Sequence, residues 1–345
     1  MSPALCNMKS IPVEESVGSI LCHDITQIIP GESKGPVFRK GHTVRAEDIP
    51  VLLRVGKEHL FVYEPAPGIL HEDEAALRIA MAVAGKNISL STPSEGRINF
   101  QAEISGLLHI DKDKLAAVNC LDEISLATLH SMQEVKKGQA VGGTRVIPLI
   151  IEEEKIAHLE ALVPAPFIEV LALREAAVGI VTTGSEIYHG RIKDAFGPVL
   201  ERKIRGMGGS VLGQRFTSDD VDMTCAAILD FIRQGADMIM VTGGMSVDPD
   251  DKTPAAIRQT GATIISYGAP AFPGAMFLLA YLGKVPVLGL PGCVMYHQAS
   301  IFELIVPRLL AGLEVTRQDI AMLGHGGFCS ACPECRYPLC SFGKG

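Results

Sequence analysis

Val178-Gly-Ile-Val-Thr-Thr-Gly-Ser-Glu-Ile187 reads as a short buried strand that runs into a glycine turn carrying one carboxylate. Val178, Ile180 and Val181 follow one another without polar alternation, the pattern of a strand covered on both faces, as in parallel sheets. Met238-Ile-Met-Val241 repeats the pattern and ends in Thr242-Gly243-Gly244. Val285-Pro-Val-Leu-Gly-Leu290 repeats it again and ends in Pro291-Gly292, with Pro286 confined to the strand's start or to an edge. Between these runs the spacing turns helical. Leu200, Ile204 and Met207 share a face within 198–207, and Val221, Cys225, Ile228 and Ile232 share another behind Thr217-Ser218-Asp219. Thr253-Pro254 supplies a capping hydroxyl and a first-turn proline. The segment 295–310 is apolar nearly all round, which predicts one buried helix bent at Pro307. Strands alternating with helices predict an α/β, three-layer, doubly wound, mostly parallel sheet, whose ligands bind beyond the carboxyl ends of the strands.

The 345 residues exceed one core and suggest roughly two to three domains. The sequence divides into a small strand-rich domain over 8–66, a mixed α+β linker domain over 67–166, the α/β domain over 167–315 and a cysteine-rich tail over 324–345. Together the first two make a smaller strand-rich α+β region ahead of the sheet. Residues 1–7 read as an extension, and Pro65-Ala66-Pro67-Gly68 and Pro164-Ala-Pro166 as linkers. His71-Glu-Asp-Glu74 leads a helix expected to bury Leu77, Met81 and Ala84 and to hold its acids at the surface. A balance of 31 basic against 39 acidic residues, net charge −8, offers no footprint for nucleic acid. No apolar run predicts a signal peptide or a membrane span, so the expectation is a cytoplasmic chain without membrane or nucleic-acid partners. Four of the nine cysteines lie in the last 17 residues, unlike a disulfide framework spread over a secreted fold.

Glycines after buried strands bring backbone N–H groups close to an anion, and phosphate is the natural ligand. Carboxylates accompany these turns: Glu186, then Asp219 and Asp220, then Asp248, Asp250 and Asp251. Acids beside a phosphate repel it unless a hard cation bridges them, which points to Mg2+; the alternative is that Asp219 and Asp250 merely cap helices. Cys293, between a strand end and a helix start, is either an inert buried residue or a thiol that the helix dipole shifts toward the thiolate. Cys329, Cys332, Cys335 and Cys340 place four thiols within twelve residues and predict a metal site, either Zn2+ or an iron–sulfur cluster. Gly324, Gly326 and Gly327 suggest a flexible hinge before it, which would let the tail dock on a partner enzyme or pass electrons.

Thr183-Gly-Ser-Glu186, Gly190-Arg-Ile-Lys-Asp194, Ser218-Asp-Asp220, the stretch from Thr242 to Asp251 and Gly289-Leu-Pro-Gly292 resemble the ordered signature of the molybdopterin-binding domain. That domain is shared by molybdopterin molybdenumtransferases and molybdopterin adenylyltransferases. The resemblance covers residues 176–312. It implies a catalytic set of Glu186, Asp219 and Asp251. It also implies a cofactor-binding set of Thr183, Gly184, Ser185, Asp194, Thr242, Gly243, Gly244, Ser246, Pro291, Gly292 and Cys293. The implied activity is Mg2+-dependent transfer of molybdate onto adenylylated molybdopterin with nucleotide release, in a homo-oligomer. The alternative is a non-catalytic carrier or sensor of molybdopterin serving a molybdoenzyme. The sequence departs from the transferase pattern at several positions. Ser185 stands where the family has aspartate and Phe196 where it has asparagine. The lysine-rich Pro-Gly loop is here Phe272-Pro-Gly-Ala-Met276, and Pro-Gly-Asn-Pro is Pro291-Gly-Cys-Val294. No counterpart of the family's N-terminal aspartate-glycine-tyrosine motif occurs between residues 1 and 170.

Overall fold

The computed structural model describes residues 8–29, 33–63, 67–246, 248 and 251–345. The extension at 1–7, linker residues Pro65 and Ala66, and Asp250 lie outside the described residues. Contacts divide the chain into two compact units. The first holds the residues up to Ile104 with His109–Leu129 and Lys136–Val170. The second holds Ser105–Leu108, His130–Val135 and Leu171–Gly345.

The first unit is antiparallel and strand-rich. Met8–Pro12 pairs with His59–Tyr63, and Ile25–Ile29 with Ser33–Phe38. Val13, Leu21, Ile25, Val44, Leu52 and Leu60 form a small core among them. A separate four-stranded antiparallel sheet runs in the order Ile88–Leu90, Arg97–Ala102, Ala140–Val146, Ile124–Thr128. The helix Glu72–Val83 forms as its acidic first turn predicts, but it buries a different face. Ala75, Ala76, Ile79, Ala80 and Val83 point inward, while Leu77 and Met81 are exposed at 39% and 64%. Small alanines allow close packing, so the apolar stripe follows them and not the bulkier residues.

The acids of that first turn also depart from expectation. Asp73 accepts from Lys40 Nζ and from Gly96 N, at 2.6 and 2.9 Å. Glu72 is buried, and burial with the neighbouring Asp73 charge pushes its carboxyl up to about 7. The folded state thus keeps a proton that the unfolded chain loses near 4.5, so this group's contribution falls as pH rises from 4.5 to 7 and stays lost above. Glu72→Gln is expected to flatten that slope and to raise stability at pH 8 by roughly 1–3 kcal/mol. Denaturant unfolding of both proteins at pH 5 and pH 8 measures it; parallel pH dependence in the two would remove Glu72 as the cause.

The second unit is built on one six-stranded sheet. Its strands are β1 (Ala177–Thr183), β2 (Ser210–Thr217), β3 (Met238–Thr242), β4 (Thr263–Tyr267), β5 (Leu278–Leu282) and β6 (Val285–Leu290). Their spatial order is β2-β1-β3-β6-β5-β4. Pairings β1·β2, β1·β3 and β3·β6 are parallel, and β5 and β4 add an antiparallel edge. Pro286 is the second residue of β6, where a missing N–H is tolerated.

The helices are α1 (Ser185–Tyr188), α2 (Phe196–Gly206), α3 (Val221–Arg233), α4 (Thr253–Gln259), α5 (Cys293–Tyr296), α6 (Ile301–Leu310) and α7 (Arg317–Met322). Val178, Ile180, Met238 and Met240 meet α2, α6 and α7 on one face of the sheet. Val181, Ile239 and Val241 meet α3 and α4 on the other. The three-layer architecture follows directly from strands that are apolar on both faces.

The expected helix over 295–310 is instead two helices. The first ends at Tyr296, where His297 is extended, and Ser300 starts α6 afresh with a capping box: its hydroxyl accepts from Phe302 N while Glu303 Oε2 reaches back to accept from Ser300 N at 2.8 Å. Glu303 also pairs with Lys203 of α2, which offsets its burial. The tail is likewise not a hinged appendage. A Cβ at Gly327 would meet Pro270 O at 2.2 Å, Phe342 is buried in the sheet's core, and Cys329, Tyr337 and Cys340 pack against that core. The glycines before the tail serve close packing, not mobility.

Candidate functional site

Strand register sets up the site. Thr183 lies beside Thr217, Thr182 beside Thr242, and Thr242 beside Leu290, so four parallel strands finish at one level. Gly184, Ser218, Gly243 and Pro291 therefore leave the sheet side by side. Gly243, Gly244, Ser246, Asp251, Pro291 and Gly292 line one cavity of about 280 Å³ at this rim. Gly243 is required there: its φ is +84°, and a Cβ would stand 2.2 Å from Thr183 O.

Beneath the rim lies a floor of buried threonines. Thr242 Oγ1 donates to Thr182 Oγ1 at 3.2 Å, and Thr217 and Thr224 hydroxyls meet at 3.0 Å. Thr253 was expected to cap α4. Instead Lys252 is the N-cap residue, and Thr253 Oγ1 donates to Gly243 O at 2.8 Å, tying that glycine turn to the helix.

The acids fall into distinct roles. Asp219 does not cap α3: its Oδ2 accepts from Ser185 N, the first N–H of α1, at 2.9 Å and joins the first two turns, while Asp220 caps α3 through Met223 N at 2.7 Å. Asp251 Oδ2 accepts from Asp248 N at 2.8 Å and closes the third turn on itself. Each of Asp219 and Asp251 spends one oxygen on a backbone donor and has a second carboxylate oxygen. Glu186 is exposed on α1 and folds back so that its carboxylate lies 3.2 to 3.4 Å from where a Gly184 Cβ would be. Asp194 works from behind the rim. It accepts from Phe196 N and Gly197 N, both at 2.9 Å, and from Gln214 Nε2 at 2.8 Å, and Gln214 in turn donates to Thr182 Oγ1 at 2.8 Å. This chain fixes the start of α2, whose Phe196 walls the cavity.

Cys293 is not on that cavity's wall. Burial pushes its thiol up, which favours the inert buried reading over the thiolate one, because α5 is a single turn whose dipole cannot outweigh desolvation. Gln214 and Thr182 are the participants that sequence reading passed over, whereas Phe196 and Met276 entered it only as departures from the transferase pattern. Threonine inside an apolar strand was the available signal for Thr182, since a buried polar group demands a partner, while Gln214, half-buried on the edge strand β2, gives none.

Among the described residues, no three His, Cys, Asp or Glu side chains are already grouped to hold a metal ion.

Residues 179–311 match the family described as Probable molybdopterin binding domain. That segment is a molybdopterin-binding domain. Residues 10–64 match a Domain of unknown function (DUF8806). The molybdopterin molybdenumtransferase of Bacillus subtilis is 25% identical over 169 residues, 46% of this chain and 37% of that protein. A CinA-like protein of Syntrophus aciditrophicus is 39% identical over 82 residues, 24% of this chain and 19% of that protein. A molybdenum cofactor biosynthesis bifunctional protein of Synechococcus elongatus is 24% identical over 168 residues, covering 48% of this chain and 51% of that protein. The chain thus spans between 19% and 51% of these relatives. Among solved structures, the tungsten cofactor synthesizing protein MoaB from Pyrococcus furiosus aligns with a TM-score of 0.34 at 19% identity, over 42% of this chain and 98% of that one. Through this segment the chain is similar to proteins named for molybdenum cofactor biosynthesis. Among the described residues no helix is long and apolar enough to cross a membrane.

Proposed function

We propose that the second unit binds molybdopterin by its terminal phosphate at the glycine turns and acts as a Mg2+-dependent molybdenumtransferase on the adenylylated form. The observation that carries the reading is the cavity shared by Gly243, Gly244, Ser246, Asp251 and Gly292 at the ends of parallel strands. At about 280 Å³ it falls just below the range of roughly 300–1,000 Å³ for sites that enclose a whole drug-sized ligand, so it suits a phosphate and its adjoining atoms. Glycine backbone supplies close approach to the anion, and the buried threonines beneath brace the strand ends through bonds to one another.

Glu186, Asp219 and Asp251 stand around this rim as the acidic set. A magnesium ion bound there would neutralise charge building on the phosphoryl oxygens as the nucleotide leaves. The chain's own part is positional. Asp219 locks the first turn to the second, Asp251 closes the third, and the Asp194–Gln214–Thr182 chain holds Phe196 against the ligand's space.

A second reading, a carrier that holds molybdopterin for a molybdoenzyme, is favoured by Met276, which lines the cavity from a loop without a basic residue. One experiment separates the two. The full chain, with adenylylated molybdopterin, Mg2+ and molybdate, is followed for bound pterin and released nucleotide. Binding with release supports the transferase, binding without release supports the carrier, and no pterin bound defeats both.

A further inference from the structure

A second cavity, of about 350 Å³, takes no part in the site above. Cys329, Cys332, Cys335 and Cys340 all line it, with His297 and Arg336 on the same wall. The segment that carries the thiols has neither helix nor strand, yet it is pinned at both ends. Phe272 N donates to Gly327 O at 2.7 Å and Cys329 N to Phe272 O at 2.8 Å, while Gly343 N donates to Gly326 O at 2.9 Å and Phe342 is 2% exposed. Between the first two cysteines Ala331 holds φ at +51°, a left-handed conformation costing a side-chain-bearing residue roughly 1–2 kcal/mol. Such strain persists only where the surroundings impose it, and it gathers at functional sites. All four thiols are free of disulfides.

We infer that this cavity is a tetrathiolate site for one thiophilic metal centre, with Cys329, Cys332, Cys335 and Cys340 as its ligands. Cys329, Cys332 and Cys335 follow one another at the C-x2-C spacing of metal-ligating thiols, and Cys340 lines the same cavity. Binding a divalent ion releases four protons and leaves a centre of net charge −2, which Arg336 on the wall offsets. Among the described residues the thiols are not yet at coordinating distance, so loading draws them inward from the wall. The pinned ends keep that movement local. A zinc ion and an iron–sulfur cluster use the same four thiolates and differ in colour.

Two segments connect this centre to the glycine-turn cavity. Pro291 and Gly292 line one cavity and Tyr296 and His297 the other, with α5 between them; Met276 lines the first, and Phe272 of the same loop anchors the tail. The inference uses no feature of the pterin reading, so either can fail alone.

The test is metal analysis and visible spectroscopy of the full chain purified without oxygen. One centre per chain is expected, as one colourless zinc or as iron and sulfide with visible absorption. Replacing Cys332 and Cys335 together by serine should lower bound metal on the order of tenfold or more, whereas Cys120→Ser in the first unit should leave it unchanged. Two results overturn the assignment. One is wild-type protein with almost no metal whose four tail thiols all react with a thiol reagent; the other is full metal retention by the doubly substituted chain.

Discussion

On the proposed transferase reading, Asp251→Asn is expected to leave molybdopterin binding intact and to slow Mg2+-dependent nucleotide release by roughly a hundredfold or more, the scale seen when one preorganised electrostatic group is lost. The expectation rests on how Asp251 is held. Its Oδ2 accepts from Asp248 N and its own N donates to Asp248 O at 2.9 Å, and asparagine retains an acceptor oxygen for the first of these bonds. The turn and the glycines proposed to meet the phosphate therefore keep their geometry, and only the negative charge disappears. On the transferase reading that charge helps hold the cation, so turnover suffers and affinity does not. On the carrier reading the wild type releases no nucleotide, and the substitution leaves binding unchanged or tighter as repulsion falls. Parallel titrations and release assays on both proteins decide between them; a wild type that binds without turnover sinks the transferase assignment.

Gly243→Ala should cost roughly 3 kcal/mol of stability and abolish measurable pterin binding. Two penalties add: the left-handed backbone, roughly 1–2 kcal/mol, and the clash of Cβ with Thr183 O, roughly 1–3 kcal/mol. Gly283→Ala separates them, because Gly283 has φ at +61° and nothing within 4 Å of its missing Cβ. That control should lose about 1 kcal/mol and bind normally. Equal losses in the two variants, by denaturant unfolding, would show that the close approach of Gly243 to Thr183 carries no weight.

Much of this unit can be read from the chain itself, for a physical reason. Strands buried on both faces must be continuously apolar, so Val178 to Val181 and Met238 to Val241 announce themselves, and glycines at their ends mark the rim. What escapes is whatever depends on distant partners. Gln214 matters because Asp194 and Thr182 flank it in space, from 20 and 32 residues away. The break at Ser300 escapes because apolar spacing continues through it, and only the Glu303 capping box reveals a new helix start. Leu77 and Met81 misled because size is no guide to burial where alanines allow closer packing. The grouping of Ser105–Leu108 and His130–Val135 with the second unit has no local signature at all.

The separation between floor and rim bears on how such a scaffold changes its chemistry over generations. The threonine hydroxyls are part of the sheet's interior and pair with one another, so altering one leaves a buried group unsatisfied and is paid in folding. Glu186, Asp219 and Asp251 instead stand on turns beyond the strands, where replacements are tolerated far more readily. Acids on these turns can thus be exchanged without dismantling the strands and the buried threonines beneath them, so two chains that share this scaffold need not share its chemistry.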